Sequence, residues 1–152
     1  MRVAIQNKQR LVRMDRRKIQ SIAQKVFVHF KLGKEVHVNL LFLDDQSMAA
    51  LHRDFLGKKG PTDVLAFCMR EGKPLKGDSA LLGDIAISTE TALRQAKRFH
   101  SSVERELALY VIHGMLHLLG YEDHHKGERL KMRREERMLL KQCQKNGTSQ
   151  KV

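Results

Sequence analysis

Long apolar runs are missing from this sequence. Leu107 to Ile112 is among the longest, well short of the roughly 20 residues of a membrane span. The opening residues, Met1 to Lys18, carry no apolar stretch of the kind found in a secretory leader. Both absences predict a cytoplasmic protein with no membrane association. Cysteine is scarce too. Cys68 and Cys143 are far apart and form no CxxC pattern, which leaves no thiolate cluster and predicts two idle thiols in a reducing compartment. Internal repeats and linkers are absent, so 152 residues predict a single domain, residues 1–145, with a polar tail at 146–152. Acid is also in short supply: 17 Asp and Glu face 29 Lys and Arg, a net charge of +12. So basic a balance predicts a polyanionic partner, nucleic acid first, with plain solubility as the bland alternative.

What is present reads as interleaved strands and helices. "RVAIQ" is a candidate edge strand. Ile19, Ile22, Ala23, Val26, Phe27 and Phe30 recur at helical spacing, with Asp15 as cap and Gly33 as stop. "EVHVNLLFL" predicts a strand, and a short helix follows, capped by Asp44 or Asp45 and ended by Gly57. "KKGPT" is a turn, "DVLAFCM" a second buried strand, "REGKPLKGDSA" a polar loop and "LLGDIAIS" a further strand. A helix from Ser88 to about His100 places Ala92, Leu93, Ala96 and Phe99 on one face. Ser101 or Ser102 caps the next helix, Val103 to Leu119. The last helix, Lys126 to Gln144, has Leu130, Met138, Leu139 and Leu140 as apolar contacts, and "KNGTSQKV" is expected to be disordered. The class is α/β (α+β): a small mixed sheet packed with five or six helices.

The stretch "HGMLHLLGYEDHH" carries the chemistry. His113 and His117 stand at i and i+4, one helical turn apart, where two imidazoles share a metal ion. Taken alone, such a pair is more often two ordinary helix residues. Here apolar neighbours place both rings near the core, where they need partners. Gly120 then turns the chain back and offers Glu122, Asp123, His124 and His125 for a third position. Nitrogen and oxygen donors without thiolate favour one zinc ion. In zinc peptidases the motif is HExxH with the Glu as general base. Gly114 stands at that position, which removes the peptidase reading. On so basic a protein, a phosphodiester is the natural substrate.

"HGMLHLLGY" resembles the signature of the YbeY family of bacterial metal-dependent endoribonucleases. "GKKGPTDVLAF" and "LLGDIAIS" resemble two further blocks in the same order, and "FHSSVERELALYVIHG" resembles the approach to the signature. The resemblance implies a four-stranded sheet with surrounding helices and zinc held by three histidines in a cleft. It also implies cleavage of single-stranded ribosomal RNA near the 3′ end of the small-subunit species, in maturation and quality control of ribosomes. Arg53, Lys58, Lys59, Arg94, Lys97 and Arg98 are basic candidates along an RNA groove, each with a solvated surface charge as its alternative.

The sequence departs from the pattern twice. At the family's spacing the third ligand falls on Asp123; with a one-residue insertion it falls on His124. Both side-chain types bind zinc at about 2.0–2.2 Å, so both stay open. Leu56 stands where the family usually carries an arginine for cleavage, and Arg53, one turn earlier, is the catalytic candidate in its place. Asp84 either orients a ligand histidine or caps the following turn. The competing function is a non-catalytic ribosome-assembly factor with a structural zinc.

Overall fold

The fold follows from two strands that are apolar on both sides, each leading straight into a capped helix. The computed structural model describes residues 1–60, 62–69 and 80–149, excluding the side chains of 80 and 145–149. Pro61 and most of the polar loop expected at 70–80 lie outside the described residues. The elements run β1 (Arg2–Asn7), α1 (Arg16–His29), β2 (Val36–Leu43), α2 (Asp45–Leu56), β3 (Val64–Cys68), β4 (Ala80–Ser88), α3 (Thr89–Arg98), α4 (Val103–Leu118) and α5 (Lys126–Ser149). The sheet has four strands in the order β1-β2-β4-β3. β1 and β4 flank β2 in parallel, and β3 runs antiparallel to β4 at the edge. It is thus the small mixed sheet expected, with five helices among the described residues.

Side chains alternate across the pleat. Val38, Leu40 and Phe42 of β2, with Ile85 and Ile87 of β4, join α1, α4 and part of α5 in the main core. Leu43, Leu65 and Ala86 face the other way and pack with Met48 of α2. α4 lies at the centre: Val111, Ile112, Met115 and Leu116 are wholly buried. Each such side chain contributes about 1.5–3 kcal/mol relative to exposure. That anchorage lets α4 hold a functional side chain in a fixed place.

Local signals place the helix ends. Asp15, Asp44, Ser88 and Ser102 each accept a hydrogen bond from a backbone N–H of the first turn. Gly57 adopts the left-handed conformation that ends α2. Four expectations shift. α1 stops at His29 and reverses through Lys31 at φ 53°, before Gly33 is reached. Phe99 lies beyond the last turn of α3 and is 64% exposed. On α5 the inward apolar residues are Met132, Leu139 and Leu140, while Leu130 and Met138 face solvent. They do so because Met132, Glu136 and Leu139 define the packed stripe, and Leu130 and Met138 lie off it at helical spacing. α5 also continues to Ser149, into the segment expected to be disordered. No helix among the described residues is long and apolar enough to cross a membrane.

Candidate metal centre

Packing explains the first residue of interest, Gly114. A Cβ there would meet Ile85 Cγ2 at 2.7 Å and Val64 Cγ1 at 3.2 Å. The glycine lets α4 lie directly on the β3–β4 edge of the sheet. His113 and His117 lie on the side of α4 that meets α5 and the following turn.

Each ring is held by its Nδ1. His113 Nδ1 bonds Glu136 of α5. His117 Nδ1 lies 3.0 Å from the carbonyl oxygen of Tyr121. Carboxylate and carbonyl only accept, so both Nδ1 atoms carry hydrogen and both Nε2 atoms face the metal position. Those Nε2 atoms are 3.0 Å apart. Two bare lone pairs at that distance repel and require a positive charge between them, a proton or a metal ion. Two nitrogens bound tetrahedrally to one zinc would be separated by about 3.3 Å. The pair fits that requirement closely.

The turn after α4 brings up a third candidate donor. Gly120 N–H bonds His117 O and Tyr121 N–H bonds Leu116 O, the paired bonds of a Schellman motif, with Gly120 at φ 101°. One turn therefore does two things: it ends α4 and it places the Tyr121 carbonyl on His117. It also returns Asp123 to the site, with its Oδ2 3.8 Å from His117 Nε2. One ligand atom each from His113, His117 and Asp123 lies within 4.8 Å of the others. His124 and His125 are exposed and stand outside this group. The donor set of two imidazoles and one carboxylate suits zinc or a similar divalent ion. The side chains of His113 and His117 are 31% and 29% exposed and that of Asp123 45%, so one side of the group opens to solvent.

Electrostatics treat the two rings differently. Burial pulls His113 down, but the hydrogen bond and charge of Glu136, with Asp63 and Asp123, outweigh it and leave His113 above the ordinary histidine value. Burial and the neighbouring His113 hold His117 below it. The shifts run in opposite directions because the Glu136 hydrogen bond falls on His113 alone.

The remaining candidates lie elsewhere. Arg53 is exposed on the last turn of α2 and bonds Asp54 at 3.1 Å. Lys58, Lys59, Lys97 and Arg98 are exposed. Arg94 is engaged by Asp45. Asp84 neither orients a histidine nor caps a turn: it lies within β4, opposite Phe67, and accepts a bond from Asn39 at 2.8 Å. Glu136 is the residue sequence reasoning missed. Its part depends on α5 folding back onto α4, and no local pattern encodes that contact.

Comparison with known proteins adds the family context. A family model described as endoribonuclease YbeY matches residues 4–144. A protein of Pelotomaculum thermopropionicum named endoribonuclease YbeY is 44% identical over 120 residues, 78% of this chain and 79% of its own length. One of Syntrophus aciditrophicus with the same name is 37% identical over 142 residues, covering 92% and 88%. The solution structure of TM1509 from Thermotoga maritima superposes with a TM-score of 0.65 at 24% identity, over 98% of this chain and 93% of that one. That last likeness speaks to the fold.

Proposed function

Since the chain belongs to the YbeY endoribonuclease family, we propose that it is a zinc-dependent endoribonuclease that cuts single-stranded RNA. Its substrate in this reading is small-subunit ribosomal RNA near the 3′ end, and its setting is the maturation and quality control of ribosomes in the cytoplasm. The working unit is the domain of residues 1–145. The observation that carries the reading is the convergence of the His113 and His117 Nε2 atoms, 3.0 Å apart, beside the Asp123 carboxylate.

His113, His117 and Asp123 would hold the ion. When bound, it supplies Lewis-acid polarisation of a phosphodiester and a source of hydroxide near neutral pH. Glu136 and the Tyr121 carbonyl keep the two imidazoles in the tautomer that offers Nε2. The Asp123 carboxylate offsets part of the ionic charge. The open side of the group admits a strand. Arg53, free of the core on α2, is the candidate for contacting the scissile phosphate where the family's usual arginine is replaced by Leu56. To do so it exchanges the Asp54 carboxylate for the phosphate.

A structural zinc in a non-catalytic assembly factor would call for a closed site of four protein ligands. Three converging donors with one side exposed favour catalysis instead. The test is cleavage of single-stranded RNA by the purified protein with and without chelator, beside His117→Ala. Cleavage that stops with chelator and in the variant is expected. No cleavage with any divalent ion tried would overturn the reading.

A further inference from the structure

α5 uses its charges unevenly. From Lys126 to Lys141 the sequence has seven basic residues and three acidic ones. The acids point inward. Glu135 bonds His29 at 3.2 Å, Glu136 bonds His113, and Glu128 is half-buried. The bases point outward. Arg133, Arg134, Arg137 and Lys141 are exposed and have no ion pair or hydrogen bond among the described residues. Arg133, Arg137 and Lys141 follow one another at i, i+4 and i+8, a spacing at which like charges repel. An ordinary solvated helix would interleave acids along this face.

Two apolar residues sit within the same strip. Leu130 is 51% and Met138 37% exposed, and they line a shallow groove with the four cations. The strip starts beside the metal centre: Arg129 at its head donates to the Asp123 carbonyl at 3.5 Å. From Lys126 to Lys141 it extends about 22 Å along the helix axis.

We infer that the outer face of α5 is a docking strip for the sugar-phosphate backbone of RNA, leading away from the metal centre. The inference rests on the endoribonuclease reading for the nature of the polyanion. Arg133, Arg134, Arg137 and Lys141 neutralise successive phosphates, and Leu130 and Met138 pack against sugars or unstacked bases between them. A strand held at the metal centre is thereby gripped outside it, so long substrates bind more tightly than short ones. Two apolar side chains are too few to insert into a bilayer, which sets RNA ahead of an anionic membrane.

The test compares the full-length, metal-loaded protein with R133Q/R134Q/R137Q/K141Q, both checked for unchanged circular dichroism. Binding is read by anisotropy on labelled 2′-O-methyl oligouridylates of about 6 and about 20 nucleotides over a range of salt. The glutamine variant is expected to bind the longer oligomer at least tenfold more weakly. Its dependence of log K on log salt should flatten by about two to three, at roughly 0.7 per lost phosphate contact. The short oligomer should bind as before. A variant with lysine at positions 133, 134 and 137 should keep both affinity and slope. Unchanged affinity and slope in the glutamine variant would overturn the proposal, and so would equal losses on both lengths. Weaker binding to phosphatidylglycerol vesicles with RNA binding intact would assign the face to a membrane and also overturn it. The readout is binding alone. If the parent cuts RNA but the variant binds normally, the strip fails and the enzyme reading stands; if the parent never cuts but the variant loses affinity, the reverse holds.

Discussion

Glu136 on α5 accepts a hydrogen bond from His113 on α4, across 23 positions of sequence. The contact fixes the tautomer of a candidate metal ligand from outside the donor set. Glu136→Gln keeps the shape and removes the charge. Metal affinity is expected to fall about 10–100-fold, measured by competition against a chromogenic chelator. Affinity equal to that of the parent would show that His113 is oriented by something else.

The third donor separates two adjacent residues. Asp123 lies 3.8 Å from His117 Nε2, whereas His124 is exposed and outside the group. Asp123→Ala is expected to lower metal affinity at least tenfold and to abolish RNA cleavage, while His124→Ala leaves both within about twofold. Metal stoichiometry and affinity of the two variants decide the matter, and a reversed pattern would move the site to His124.

Acid should release the ion, beginning earlier than for a free imidazole. Metal binding requires neutral histidine. Burial lowers His113, yet Glu136 and the other nearby carboxylates raise it above its ordinary value of about 6.5. Protons therefore compete at His113 while the pH is still above that value, and affinity falls as pH drops through it. His117 is held below its ordinary value and is not limiting. Glu136→Gln should shift the fall to lower pH. Metal affinity that stayed constant from about pH 8 to pH 5 would rule out histidine ligation.

Gly114→Ala opposes intrinsic propensity to packing. Alanine gains about 1 kcal/mol as a helix former. Its Cβ, however, would stand 2.7 Å from Ile85 Cγ2 and 3.1 Å from Ile85 Cδ1 in the core. Overpacking of this kind costs about 1–3 kcal/mol. A net loss of stability is expected in urea denaturation, together with weaker metal binding as α4 lifts from the sheet. A stabilised variant would mean that Ile85 moves aside freely.

Asp45 ties two helix starts together. It accepts bonds from Ser88 at 2.6 Å and Thr91 at 2.8 Å, and it pairs with Arg94. Burial raises its carboxyl, but these bonds outweigh burial and hold it below the ordinary carboxylate value. A depressed carboxyl stabilises the fold above its unfolded value of about 3.9. That stability is lost as pH falls from there through the folded value. Asp45→Asn is expected to cost about 2 kcal/mol at neutral pH. The gap between variant and parent in denaturant midpoint should close toward acid, and a gap that persisted would point to packing instead.

The elements legible in the sequence are those whose cause is local. Asp15, Asp44, Ser88 and Ser102 cap the helices they precede, and Gly57 ends α2, because a cap involves only its own first or last turn. The His113–His117 pair is legible for the same reason. What was hidden depends on partners far along the chain. Asp84 finds Asn39 only once β2 and β4 are side by side. Glu136 finds His113 only once α5 folds back. Leu130 and Met138 count as core by type, yet the stripe that α5 buries passes through Met132 and Leu139 instead. The choice between Asp123 and His124 turns on the direction of one peptide unit after Gly120, and spacing alone does not encode a direction.

The Schellman turn at Gly120 has a consequence for how the protein assembles. It brings donors from both sides of one bend together with no help from the sheet. The loop from His113 to Glu136 that encloses them is short, so closing it costs little chain entropy. An ion held by His113, His117 and Asp123 would tie the end of α4 to the turn that follows it, and α5 would join through the Glu136–His113 bond, whether or not β1 has yet paired at the far edge. During synthesis His113, His117 and Asp123 follow all four strands and precede α5. A chain truncated before α5 would carry a complete sheet and all three candidate donors, but without Glu136 on His113 it would hold an ion poorly.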